Sequence, residues 1–186
     1  FFLKNTEPEL TLGHLSIPTN ANEEENEEEI DIASLSDITL VECNCLGSLI
    51  LKVDVILALA SLQEMSSMVV DYYTGWMQKN ITEKGYFYMY SCYGLDPKSY
   101  KSPAQIPLDN RWRAIHLEQP TIVENDYRHL EIILQREHLG NPKWSQNKEL
   151  LGEYYKAMQA RDHEKMTYFS QRILNGEIKH GSSECN

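Results

Sequence analysis

Apolar positions along the chain change period several times, and each change falls near a cluster of turn residues. Residues 1–18 carry Leu10, Leu12, Leu15 and Ile17 between Pro8 and Pro18, a spacing that predicts an extended segment. Residues 19–29 hold no large apolar side chain but six glutamates. Such a stretch cannot bury enough surface to offset its ordering entropy, which predicts a mobile acidic loop. Residues 38–41 and 48–53 are short runs of branched residues separated by Asn44 and Gly47, the pattern of a hairpin. In the second run Leu49, Leu51 and Val53 alternate with Ser48, Ile50 and Lys52, so one face is apolar and the other mixed.

Between Asp54 and Asn80 the period becomes helical. Ile56, Leu59, Leu62, Met65, Met68, Tyr72 and Trp76 recur at the required spacing, with Asp54 placed to cap the start and Gly75 near the end. Residues 86–93 return to period two and predict a strand flanked by Gly85 and Gly94. Tyr86, Tyr88 and Tyr90 share one of its faces, Phe87 and Met89 the other. The tyrosine ladder is expected to form core under the long helix; left open, it would be a binding face. Three prolines make residues 95–107 a loop, and residues 111–117 read as a strand with Trp112 and Ala114 opposite Arg113 and Ile115.

The last third predicts three helices. Thr121 and Glu124 form a capping box ahead of Val123, Tyr127, Leu130 and Leu134, and Gly140 with Pro142 supplies a stop. Ser145 is placed to cap a second helix with Leu150, Leu151, Tyr154, Tyr155 and Met158. A third, after Arg161 and Asp162, carries Met166, Phe169, Ile173 and Leu174. Residues 151, 152 and 155 match a fragment of the tetratricopeptide pattern, but Glu164 stands near the expected small residue and no second copy occurs. The expected fold class is α+β: a small antiparallel or mixed sheet with one packed helix, followed by a three-helix C-terminal subdomain. The expected divisions are an extended segment 1–18, an acidic loop 19–29, an α+β core 30–119, a helical subdomain 120–176 and a frayed tail 177–186.

Charge narrows the classes of partner. The 186 residues carry 17 bases and 28 acids, a net charge of −11. Seven acids form one run (Glu23, Glu24, Glu25, Glu27, Glu28, Glu29 and Asp31), and taking seven from −11 leaves −4 for the rest. This balance argues against general nucleic-acid binding, which needs a net positive surface, and fits a partner protein with a basic surface. No apolar run approaches the ~18 residues of a membrane span. Four cysteines (Cys43, Cys45, Cys92, Cys185) are too sparse for a disulfide scaffold, which leads to the expectation of a reduced, intracellular chain, cytoplasmic or nuclear. The triplet Asn80-Ile81-Thr82 is a glycosylation acceptor pattern that points the other way. A first residue Phe1 rather than Met suggests a fragment or processed chain.

Catalytic and cofactor signatures are missing from the sequence. It holds neither glycine-rich phosphate loop, no G-x-S-x-G elbow, no H-E-x-x-H and no C-x-x-C. Cys43 and Cys45 would put two thiols on one strand face, but the six histidines are scattered, so cysteine packing is expected, with no metal and no cofactor. His116 and Glu118 would share one side of a strand, which suits an oriented imidazole. Arg111 and Arg113 flank Trp112; such a cluster can grip an acidic group, or bury the tryptophan with both arginines in water. The expected function is therefore a non-enzymatic protein–protein interaction or adaptor module, or a subunit of a larger assembly. Its contact residues would be Arg111, Trp112, Arg113, Glu24, Glu25 and Glu28. The alternative is an enzyme of unrecognised class that uses His116, Glu118 or a cysteine.

Overall fold

The structure is a computed structural model and describes residues 12–15, 28–29, 38–41, 46, 49–93, 98–119 and 129–175. Its contacts group into two compact units, residues 1–52 and 53–186. They differ sharply in charge: the first holds 11 acids and two bases, net −9, and the second 17 acids and 15 bases, net −2.

Among its described residues the first unit contains four short strands in two parallel pairs. β1 (Leu12–Leu15) pairs with β3 (Ile38–Val41), and β2 (Glu28–Glu29) pairs with β4 (Leu49–Ile50). The hairpin expected from residues 38–41 and 48–53 is not formed. Branched residues favour strands at both places, but the partner of each strand lies earlier in the chain, which local propensity cannot reveal.

The second unit is a four-stranded mixed sheet with helices. β5 (Val53–Leu59) is followed by a 3-10 turn (Leu62–Glu64), α1 (Ser67–Asn80) and β6 (Ile81–Cys92). A 3-10 turn at Pro103–Gln105, β7 (Trp112–Glu118), β8 (His129–Arg136), α2 (Trp144–Gln159) and α3 (His163–Asn175) complete it. The strand order is β5-β6-β8-β7; β5 runs parallel to β6, and the other neighbours are antiparallel. The fold is α+β. Parallel neighbours need a crossover, and α1 supplies it between β5 and β6.

Two expected helices are corrected. Residues 54–80 split into a strand, a 3-10 turn and the shorter α1, because Ile56 and Leu59 match helical spacing while residues 53–59 run as a strand rich in β-branched side chains. Asp54 is not a helix cap: its Oδ1 accepts a hydrogen bond of 2.7 Å from Thr82 Oγ1. The expected first C-terminal helix is replaced at residues 129–136 by β8, where Leu130, Ile132, Leu134 and Arg136 are buried in strict alternation. Its capping box lies outside the described residues. The segment expected to hold three helices thus holds one strand of the sheet and then two helices. α2 starts at Trp144, one residue before the expected Ser145 cap, after a turn in which Asn141 Oδ1 accepts from the Lys143 amide.

One face of the sheet is core. Phe87 and Met89 of β6, Trp112 and Ala114 of β7, and Leu130, Ile132 and Leu134 of β8 join Val70 and Met77 of α1 in a single buried cluster. Leu151, Tyr154, Tyr155 and Met158 of α2 and Met166 and Ile173 of α3 complete it. α2 and α3 meet at a left-handed corner, with Arg161 at φ 60°. There the Arg161 amide donates to Met158 O and the Asp162 amide to Ala157 O, the paired bonds of a Schellman motif. Asp162 then caps α3 through the Lys165 amide. Among the described residues no helix is long and apolar enough to cross a membrane.

Candidate interaction face

With the three α-helices of the described residues contributing to one core, side chains on the opposite sheet face form columns set by strand register. On β5 these are Val55, Leu57 and Leu59, which are 55%, 61% and 57% exposed. They stand opposite Tyr86, Tyr88 and Tyr90 of β6. The tyrosines stand in turn opposite Gln135, Ile133 and Glu131 of β8. The tyrosine ladder therefore lies on the face away from Phe87 and Met89, which corrects its expected place under the helix. Tyr86 is exposed, and Tyr88 and Tyr90 are half-buried.

Polar groups tie the columns together. Gln135 Nε2 donates to the Tyr86 hydroxyl at 3.1 Å, while Gln135 Oε1 accepts from Arg113 Nη2 at 2.6 Å. Arg113 also lies 3.4 Å from a carboxylate oxygen of Glu137. At the other end Tyr90 stacks on the His129 ring with centroids 5.4 Å apart. The Tyr88 hydroxyl is held above its ordinary range by burial, then by the charge and hydrogen bond of Glu131. Large aromatic and aliphatic area with satisfied polar tips is the composition of a protein-binding surface.

β7 reaches this face through a bulge. Ala114 pairs with Leu134 but His116 pairs with Ile133, so Ile115 is the extra residue. An unbroken period of two would put His116 and Glu118 on the core side with Trp112 and Ala114. The bulge turns both to the open face and leaves Ile115 40% exposed. His116 Nε2 then lies 3.6 Å from Glu118 and 3.7 Å from Glu131, an imidazole between two carboxylates. The cluster is on the surface: His116 and Glu118 side chains are 37% and 58% exposed.

The expected contact cluster at residues 111–113 is divided by the fold. Trp112 is fully buried, against Phe87 on one side and with the Arg136 guanidinium 4.8 Å above its ring. Its indole nitrogen donates to Gln78 Oε1 at 3.3 Å. Arg136, itself buried, donates to both carboxylate oxygens of Asp109, at 2.6 and 2.9 Å. Arg111 and Arg113 are exposed, Arg111 pairing with Asp109 at 3.4 Å. Trp112 thus offers no surface to a partner, whereas Arg113 belongs to the open face. Of the expected acidic contacts, Glu28 is in β2, and Glu24 and Glu25 lie outside the described residues. Cys92 is buried, and Cys43, Cys45 and Cys185 lie outside the described residues.

A cavity of about 270 Å³ opens on the helix side of β5, lined by Ile56, Ala58, Leu62, Met65, Trp76 and Met77 among others. Neither His116, Glu118 nor Cys92 lines it. Among the described residues no group of three or more His, Cys, Asp and Glu side chains could hold a metal ion. No known protein-family model matches the chain, and no curated protein matches it.

Proposed function

We propose that the chain is a non-enzymatic protein–protein interaction or adaptor module that docks its partner on the open face of the sheet. The observation that supports this reading is the row Val55, Leu57 and Leu59, three aliphatic side chains each more than half exposed on one strand. Scattered apolar side chains are ordinary on a surface, but a contiguous row beside three tyrosines is the arrangement that marks an interaction site. Tyr86 of β6, Gln135 of β8, and Arg113 and Ile115 of β7 extend the patch across all four strands. The −9 charge of residues 1–52, including Glu24, Glu25 and Glu28, would steer a partner with a basic surface and affect its association rate more than its final grip.

The test is capture of a partner by the intact chain, compared with Leu57→Lys and with Ile115→Lys at the opposite edge of the sheet. Both positions face solvent, so each variant should keep the wild-type melting temperature within about 2 °C. Loss of a saturable partner with either variant supports the reading. A partner retained equally by both variants overturns it.

A further inference from the structure

We propose that the edge of β5 receives an extended peptide segment as an added strand, and that one large apolar side chain of that segment enters the cavity behind β5. The inference rests on the interaction-module reading and specifies its partner.

Three observations meet at this strand. β5 ends the sheet, and among the described residues it pairs only with β6. Its open face presents Val55, Leu57 and Leu59. On its other face Ile56 and Ala58 border a partly open cavity of about 270 Å³ that Leu57, Leu62, Met65 and Trp76 also line. Sheet edges in folded proteins are usually blunted by lysine, proline or bulges. Here the irregularity is confined to Asp54, and residues 55–59 run in regular register with residues 86–90.

An added strand alternates its side chains between the same two faces. Those on the open side would lengthen the aliphatic row, and those on the helix side would meet the hollow left beside the small Ala58. An apolar cavity of roughly 150 Å³ takes a benzene ring, so this one accommodates Phe, Trp, Leu or Met. The only ionisable side chain of β5, Asp54, already accepts from Thr82, so recognition along the strand is by backbone and apolar contact. A second copy of the chain is the poorer occupant. Its own β5 directs Ile56 and Ala58 toward its own core and has no spare side chain for the cavity, and each copy carries residues 1–52 at net −9.

The experiment selects a displayed library of random peptides, about nine residues long, on the full chain and on its Leu57→Lys variant, with circular dichroism melts to establish folding of both. The expected binders carry apolar side chains at alternate positions with one large residue among them. Changing that residue to Ala should weaken binding by at least ~10-fold. N-methylation of the amides on one edge of the peptide should weaken it as much, and on the other edge not at all. Failure of any sequence to enrich on the wild-type chain over Leu57→Lys overturns the proposal, as does binding indifferent to N-methylation. Light scattering that shows a dimer dissociated by Leu57→Lys also overturns it, since a second copy would then occupy the edge. If the peptides fail while Ile115→Lys still abolishes partner capture, the module reading stands and only the added strand is lost.

Discussion

The Tyr155 hydroxyl donates to the backbone carbonyl of Tyr93 at 3.2 Å and accepts from the Tyr93 amide at 3.1 Å, so one side chain of α2 satisfies both main-chain groups just beyond the end of β6. The two rings meet edge to face with centroids 5.4 Å apart, and both residues are buried. The hydroxyl of Tyr93 has no hydrogen-bond partner among the described residues. Two neighbouring tyrosines therefore hold oxygens of opposite value.

Tyr155→Phe should strand a buried N–H and C=O and destabilise by about 1–3 kcal/mol, whereas Tyr93→Phe removes an unsatisfied buried hydroxyl and should be neutral or stabilising by up to ~1 kcal/mol. Urea midpoints of the two single variants measure this directly. Equal and same-signed shifts would contradict the geometry.

Alkali should unfold the protein through the same helix. Burial, aided by Glu118, pushes the Tyr154 hydroxyl up to about 12, and burial with Tyr155 and Cys92 raises Tyr93 further. A raised folded pKa means that stability is intact below the unfolded value near 10 and is lost as pH climbs toward 12. Tyr154 alone contributes on the order of 2–3 kcal/mol to this loss. Tyrosinate absorbance from the buried rings should jump together with the loss of helical circular dichroism. Full tyrosine titration with the helical signal intact would refute the assignment.

Acid should weaken the clamp between Asp109 and Arg136. Burial alone would raise the Asp109 carboxyl, but the Arg136 hydrogen bond, the Arg111 amide and both guanidinium charges together hold it below its ordinary value. A lowered folded pKa gives stability that is present above the unfolded carboxylate range and disappears as pH falls through the folded value. Asp109→Asn leaves the buried Arg136 without its counter-charge and should cost about 2 kcal/mol at neutral pH, with part of the loss offset by water at the half-exposed Asp109. The variant should also flatten the acid limb of the stability curve, read as urea midpoint against pH.

The junction of β5 and β6 supplies a pair of opposite backbone tests. Val53 pairs with Ile81 and Val55 with Tyr86, so residues 82–85 loop out of the ladder, with Lys84 at φ 68°. Lys84→Gly relieves a left-handed side chain and should stabilise by roughly 1 kcal/mol, raising the melting temperature by about 2–4 °C. At the next residue a Cβ would sit 2.8 Å from Ile81 Cγ1 and 2.9 Å from Thr82 O. Gly85→Ala should therefore destabilise by about 1–3 kcal/mol.

Sequence pattern conveyed the elements whose two faces differ in chemistry. α2 and α3 carry helical stripes against polar backgrounds, and Trp112 with Ala114 opposes Arg113 with Ile115, so all of these are legible. β5 and β8 are not, because four to eight apolar residues satisfy helical and strand spacing alike. In β8 Ile133 interrupts the alternation on the open side, and Arg136 places a charge at a core position that only Asp109 and the Trp112 ring make tolerable. β6 is apolar on both faces, so nothing local tells which face the helices cover. That ambiguity hid the open face. The cavity escaped for a different reason: it depends on Ala58, Leu62 and Trp76 from three separate elements meeting at an edge.

The extra residue at Ile115 divides β7 into two stretches of opposite orientation. Before it, even-numbered positions feed the interior; after it, they face outward. Excising that one isoleucine would leave the faces unchanged: His116 would follow Ala114 directly in the ladder, with the imidazole and the Glu118 carboxylate still outward and Leu117 still inward. What keeps His116 and Glu118 out of the core is that the strand absorbs the extra residue as a bulge and not as a ladder position.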